Sequence, residues 1–248
     1  MIPKTIHYIW LGGGEKSDTV KRCIESWTKI LPDYEVKCWD ESNFDIESAP
    51  VFVKEAYTAK KWAFAADYVR MWVLYNYGGI YLDTDEEVRK DLGPYLENRF
   101  FIGTQCYKTQ ESKHKSEMHT YLSMGVIGSE PKHPYMKKLL DYYDSVGFLA
   151  KDGKVDLTTT NFKLTELMKE FGYVAEDKEQ HLAEGIAVYP SAVFSDRTSH
   201  PADFDCVSYH WGEMSWFVRR PRGKFYKLCW NLDLMGFYHW VERIRQKK

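Results

Sequence analysis

Asp83 and Asp85 stand two residues apart at the end of the apolar run Ile80, Tyr81 and Leu82. In an extended segment successive side chains alternate, so both carboxylates would leave the chain on one face. Two such oxygens suit a hard divalent cation, Mg2+ or Mn2+, which is ordinarily held by one or two carboxylates plus water and substrate phosphates. A cation there can neutralise the charge of a leaving diphosphate, which favours a nucleotide diphosphate substrate. An EF-hand is excluded by counting: from Asp83 the sixth position is Val88 instead of glycine and the twelfth is Pro94 instead of glutamate. The Gly-Lys-Ser/Thr phosphate loop of a nucleotide kinase is absent. Alone, however, an Asp-x-Asp tripeptide is common in solvated turns.

Other residues gain meaning from their neighbours. Asp67 and Arg70 are three apart in a stretch of helical spacing, hence on one face as an ion pair. They lie among Ala63, Ala65, Ala66, Val69 and Trp72, where a charge is costly without a partner. The bland reading is a salt bridge that steadies the helix; the chemical one is a pair of polar anchors at a site. Tyr81, two before Asp83, should share its side of the strand, and its hydroxyl needs a partner if buried. Trp10 ends a strand just before Gly12, Gly13 and Gly14, where an indole either packs or stacks on a nucleobase. His210 follows a strand pattern; a lone histidine there is more often structural than a ligand.

The elements that must position these residues alternate between strand and helix patterns. That alternation predicts an α/β domain with a largely parallel central sheet, and the acidic run 83–87 falls at a strand's carboxyl end, where such sheets place ligands. Strands are predicted at 5–10, 35–39 and 80–83, and helices at 17–31, 51–57 and 59–77. Gly78 should end the long helix in a left-handed conformation and Gly79 permit close approach to the sheet. Later strands are expected at 100–103, 124–127, 187–189 and 206–209, and helices at 134–145, 162–171 and 225–245. We expect one domain, residues 1–220, and an amphipathic C-terminal helix, residues 221–248, packing on it.

Composition narrows the function further. Thirty-four Lys and Arg against 36 Asp and Glu, a net charge of -2, give no global field for nucleic acid or an anionic membrane. Five scattered cysteines without a C-x-x-C pair suggest neither a disulfide framework nor a zinc cluster, and fit a reducing, cytoplasmic compartment. Residues 62–82 have the length of a membrane span but carry Asp67, Arg70 and Asn76, so a buried helix followed by a strand is expected. The N-terminus is too short and too soon broken by glycine to read as a signal peptide. Arg243, Arg245, Lys247 and Lys248 give the aromatic C-terminal segment a basic end that offers a peripheral contact with the membrane's inner face.

The block from Ala63 to Arg70, continued by Leu74 to Asp85, closely resembles the signature of the DXD sugar-binding glycosyltransferases of family 32. These include bacterial capsule and lipopolysaccharide transferases and yeast-type initiating mannosyltransferases, and are related to the large clostridial glucosylating toxins. The opening, from Ile2 to Trp10, is similar to the family's first strand, and Tyr209 to Trp216 resembles its C-terminal segment. Between these blocks the likeness is confined to fragments, Gly125 to Ser129 and Thr158 to Asn161; many relatives have Gly-Pro where this chain has Asn161 and Phe162.

The resemblance implies a GT-A-like fold with an open mixed sheet flanked by helices, a nucleotide diphosphate sugar donor, Mn2+ or Mg2+, and retention of anomeric configuration. It gives Asp67 and Arg70 the donor sugar and phosphate, Tyr81 and Thr84 donor contacts, and Trp10 the base, with a backbone contact from Ile9. Asp83 and Asp85 would hold the metal, with His210 as third ligand and Glu213 as its rival. Ser215 and Trp216 would close over the diphosphate. The implied reaction moves a hexose to a hydroxyl of a growing glycan or lipid-linked glycan, in polysaccharide biosynthesis. The competing classes are a non-catalytic nucleotide-sugar or glycan-binding module and a metal-dependent hydrolase.

Overall fold

The structure is a computed structural model in which residues 1–110, 116–149 and 160–213 are described. Ser215, Trp216, Cys229 and the helix expected at 225–245 lie outside the described residues. The strands are β1 (Thr5–Ile9), β2 (Glu35–Trp39), β3 (Gly79–Leu82), β4 (Glu86–Val88), β5 (Phe100–Gln110), β6 (Ser116–Ser129), β7 (Gln180–His181), β8 (Ile186–Tyr189), β9 (Phe194–Asp196) and β10 (Ser208–His210). The helices are α1 (Asp18–Ile30), α2 (Val51–Thr58), α3 (Trp62–Tyr77), α4 (Pro134–Ser145) and α5 (Thr160–Met168).

Seven strands form one sheet in the order β2-β1-β3-β6-β5-β8-β7, and β4-β10-β9 form a second. The large sheet is more mixed than the alternation alone suggests. β2, β1 and β3 are parallel, but β6 runs antiparallel between β3 and β5, and β7 runs antiparallel to β8. The reason is local: β5 and β6 are a long antiparallel pair, which brings β6 back beside β3 without a crossover helix. An open mixed sheet flanked by helices is the arrangement that the family resemblance implies.

Alternation along β3 ties the sheet to both its layers. Ile80 and Leu82 pack with Trp27 and Leu31 of the α1 side, whereas Tyr81 belongs to the larger cluster with Val69 and Leu74 of α3 and Leu139 of α4. All four residues of β3 are buried, as a strand covered on both faces must be. Ser17 caps α1, its side chain accepting a hydrogen bond from the Val20 amide.

The long helix starts at Trp62 instead of Ala59, because α2 first ends in a Schellman turn. The Lys61 amide reaches the Ala56 carbonyl, the Lys60 amide reaches the Tyr57 carbonyl, and Lys60 has φ +55°. At the other end Gly78 has φ +67° and ψ -162°, a glycine-only extended region in place of the left-handed helical cap expected. A Cβ on Gly79 would lie 2.6 Å from the Thr5 carbonyl oxygen, so β3 can approach β1 only with glycine there. Among the described residues no helix is long and apolar enough to cross a membrane, and Cys23, Cys38, Cys106 and Cys206 are free thiols.

His7 joins β1, β2 and the α3 terminus in one buried polar contact. The Trp39 indole can only donate, so His7 Nδ1 accepts from it at 3.1 Å, and Nε2–H donates to the Gly78 carbonyl at 2.9 Å. That arrangement needs the neutral ring, and burial lowers its pKa from 6.5 to about 4. The unfolded chain therefore binds more protons between these two values, and stability falls as pH drops through that window, by roughly 3 kcal/mol. Denaturant unfolding at pH 7 and pH 4.5 measures the loss, and His7→Gln, which cannot titrate, is expected to flatten it.

Candidate functional site

Asp83 follows β3 directly, and its amide donates to the Gly125 carbonyl at 2.9 Å. The strand then stops. Residues 83–85 form a turn closed by the Glu86 amide on the Asp83 carbonyl, so the two carboxylates converge through the turn and not through strand alternation. The expectation of an extended Asp-x-Asp is corrected accordingly. Thr84 occupies the middle of that turn.

β4 then pairs antiparallel with β10, setting His210 opposite Glu86. This pairing brings His210 Nε2 to 3.1 Å from Asp85 Oδ1 and 3.8 Å from Asp83 Oδ2. One ligand atom from each of Asp83, Asp85 and His210 lies within 4.8 Å of the others, a donor set that fits Mn2+ or Mg2+. Burial alone would raise the Asp85 carboxyl, but the His210 charge and hydrogen bond and the Glu213 amide hold it down at about 2. For His210 burial opposes charge, yet Asp85, Glu86 and Asp83 push its pKa up to about 10. Without a cation the imidazolium serves as the counter-ion of this acidic cluster.

Glu213, the rival ligand, is placed otherwise. Its amide donates to Asp85 Oδ2 at 2.8 Å while its carboxylate accepts from Ser17 Oγ at 2.8 Å, tying the chain after β10 to the start of α1.

Arg70 lies beside this cluster on the α3 face. Its Nη2 is 2.9 Å from Asp67 Oδ1, its Nη1 is 3.3 Å from Asp83 Oδ1, and Nη1 also donates to the Met124 carbonyl at 2.9 Å. Tyr81 closes the group: its hydroxyl donates to Asp83 Oδ1 at 2.7 Å, and its ring lies under the guanidinium, 4.4 Å from Cζ. Burial opposes the Arg70 charge, but Tyr81, Asp83 and Asp67 raise its pKa further. Burial raises the Asp67 carboxyl, against the pull of Arg70 and Thr160. Asp67 and Arg70 thus form a largely buried ion pair that is also joined to Asp83.

Ile9 ends β1, the parallel neighbour of β3, and Trp10 follows it, so both sit at the same carboxyl end of the sheet as Asp83. The Trp10 indole N–H donates to the Gly14 carbonyl at 2.7 Å and the Lys16 ammonium lies over its ring at 4.9 Å. Its ring face is thus already in contact with a cation.

Three residues escaped the reading of the sequence. Glu86 lies in the acidic run, yet it is 1% exposed; burial pushes its carboxyl up to about 8, and Oε1 has no hydrogen-bond partner. Its Oε2 is 2.8 Å from where a Cβ on Gly125 would stand, so Gly125 leaves the room that Glu86 fills. Thr160 of α5 donates to Asp67, and Tyr143 of α4 donates to Thr160. Gly125 and Gly128 mark where β6 passes close to the Glu86 and Phe101 side chains.

Residues 17–102 match the family model of a glycosyltransferase sugar-binding region containing a DXD motif. The chain is 30% identical over 227 residues to an uncharacterized glycosyltransferase of Acanthamoeba polyphaga mimivirus, across 87% of this chain and 84% of that protein. It is 38% identical over 145 residues to inositol phosphoceramide mannosyltransferase 3 of Schizosaccharomyces pombe, across 56% of this chain and 36% of the yeast protein. The chain thus spans little more than a third of that yeast relative. Among solved structures, the PaToxG glycosyltransferase matches with a TM-score of 0.48 at 20% identity, over 68% of this chain and 69% of that one.

Proposed function

The chain belongs to the glycosyltransferases whose sugar-binding region contains a DXD motif, and on that premise we propose a retaining, metal-dependent hexosyl transfer from a nucleotide diphosphate sugar to a glycan or lipid-linked glycan hydroxyl. The observation that supports it most directly is the convergence of Asp83, Asp85 and His210 at the edge where β1 and β3 end. Mn2+ or Mg2+ held by these three residues would neutralise the charge that gathers on the departing diphosphate.

In this reading Arg70 adds a fixed cationic donor beside the same charge, and Asp67 accepts from sugar hydroxyls. Tyr81 and Thr84 contact the donor near Asp83, and Trp10 stacks on the base, with a backbone contact from Ile9. Stacking requires Lys16 to move off the ring or to lie at the base edge. Ser215 and Trp216, outside the described residues, are assigned to the diphosphate on the family resemblance alone. The sequence offers no nucleophile at a fixed spacing on the opposite face. The acceptor oxygen therefore attacks C1 from the leaving-group side, the C1–O bond to the diphosphate breaks, and the acceptor proton passes to the diphosphate oxygen.

Mannose is the first sugar to test, since the yeast relative is named a mannosyltransferase, and its inositol phosphoceramide acceptor makes a lipid-linked hydroxyl worth testing beside a capsular or lipopolysaccharide glycan. We place the protein in the cytoplasm, with residues 1–220 as the catalytic domain and the basic charge of Arg243, Arg245, Lys247 and Lys248 offering a peripheral contact with the inner membrane face.

Screening GDP-mannose, UDP-glucose and UDP-galactose by thermal shift, with and without Mn2+, tests the reading, because a ligand of the native state must raise its stability. The expected result is one donor whose shift needs the cation, followed by transfer to an acceptor with the same anomer. Binding without turnover across donors and acceptors would favour a binding module. Free sugar as sole product with acceptor present would favour a hydrolase.

A further inference from the structure

The pairing of β5 with β6 jumps from Ile102↔Ile127 to Thr104↔Leu122, so that residues 123–126 of β6 bulge opposite Gly103 of β5. The bulged backbone is committed to the site instead of to β5. The Gly125 carbonyl takes the Asp83 amide and the Met124 carbonyl takes Arg70 Nη1. Beside the bulge, Leu122 binds the first two turns of α5: its amide donates to Thr165 Oγ1 at 2.9 Å and its carbonyl accepts from Asn161 Nδ2 at 3.1 Å. Thr165 Oγ1 in turn donates to the Asn161 carbonyl at 2.7 Å. One strand segment thus holds both Arg70 and the start of α5.

Thr160 is the first residue of α5, and its Oγ1 lies 2.5 Å from Asp67 Oδ2. Asp67 Oδ1 is already paired with Arg70, so the carboxylate is the acceptor and the threonine hydroxyl the donor. Thr160 Oγ1 must then accept from elsewhere, and Tyr143 of α4 supplies that proton at 2.9 Å. The order of donation is therefore Tyr143 to Thr160 to Asp67. Thr160 is 7% exposed and Tyr143 2%, so water does not replace either bond at little cost.

We propose that Thr160 and Tyr143 are positioning residues for the donor sugar: by occupying Oδ2 they fix the Asp67 rotamer and leave its remaining lone pairs in one direction. The inference rests on the reading of Asp67 as a donor contact. It assigns α4 and α5 a part in donor recognition and not only in packing. Asn161, which stands where many relatives have glycine, acts here as the clamp that keeps the α5 start on β6.

Three variants test it: Thr160→Val, which keeps shape but removes the hydroxyl, Thr160→Ser, which restores it, and Asp67→Asn. The readouts are kinetics, and calorimetric binding of GDP-mannose, UDP-glucose and UDP-galactose compared with GDP and UDP, all with Mn2+. Thr160→Val is expected to raise the donor KM about tenfold, with kcat changed far less, and to weaken the intact nucleotide sugar but not the nucleoside diphosphate. Thr160→Ser restores both, and Tyr143→Phe gives a smaller loss of the same kind. If Asp67→Asn raises the donor KM while Thr160→Val leaves it unchanged, the proposal is wrong and the donor-site reading stands. If Asp67→Asn changes nothing, or no nucleotide sugar binds better than its nucleoside diphosphate, both fall. A lowered Tm with unaltered donor KM in Thr160→Val would reduce Thr160 to a packing residue.

Discussion

Asp83→Asn is expected to lower kcat for sugar transfer on the order of 10^3-fold, with the cation-free protein still folded. The substitution keeps size, and an amide oxygen can still accept from the Tyr81 hydroxyl, which lies 2.7 Å from Oδ1. Arg70 keeps Asp67 as a carboxylate partner, so no buried cation is stranded. What is lost is the negative charge facing Asp85 and His210. A site of one carboxylate and an imidazole binds Mn2+ or Mg2+ poorly, since hard cations are held chiefly by charged oxygen. Calorimetric titration of Mn2+ into the variant should show the affinity gone, while thermal unfolding in EDTA matches the parent within a few degrees. Retained transfer in the variant would remove the proposed role of the motif.

Asp85 should respond differently although it lies in the same motif. Its Oδ1 faces His210 and its Oδ2 accepts the Glu213 amide, so it joins the end of β10 to the turn after β3. Asp83 carries its share of the site on one oxygen beside Arg70, with the other toward His210. A cation entering here must displace the proton that His210 holds, because only the neutral ring offers a lone pair. Asp85 thus bears on stability and on cation seating, Asp83 chiefly on the latter.

Much of this arrangement was legible in the sequence because α3 and β3 are contiguous. The i,i+3 spacing puts Asp67 beside Arg70, and the i,i+2 spacing puts Tyr81 beside Asp83, as the distances in the structure bear out. His210 is another matter: the strand before it was legible, but it arrives 125 residues later through pairing with β4, and nothing in either three-residue strand indicates that partner. β4 itself, Glu86–Val88, reads as an acidic surface run, yet Glu86 and Val88 point into the core. Only likeness to a family indicated His210. Thr160 falls in the family-like fragment Thr158 to Asn161 but nothing there points to Asp67, and Tyr143 had no signal, since their approach depends on how α4 and α5 pack and on where the β6 bulge falls. Mixed strand directions were hidden for a similar reason: the length of the β5–β6 pair, which decides them, is set by pairing more than by residue type.

Arg70→Met should be the most damaging single change, because it acts on stability and transfer together. Arg70 is 5% exposed and is the cation between the Asp67 and Asp83 carboxylates. Removing one member of a buried pair leaves the other uncompensated, at a cost of about 3–5 kcal/mol. In a chain of this length each kcal/mol moves Tm by roughly 2–4 °C, so a fall of about 10 °C is expected. Arg70→Lys keeps a charge but not the fork that reaches Asp67, Asp83 and the Met124 carbonyl together, so its Tm should recover more than its turnover. The double variant Arg70→Met with Asp67→Asn separates the two effects. It removes the better buried carboxylate, while Asp83, with 24% of its side chain exposed, keeps some water. Part of the lost Tm should return, and transfer should not. Recovery of activity with Tm would make the pair a strut for α3; full loss of both would mean that Asp83 alone carries the cost of losing the guanidinium.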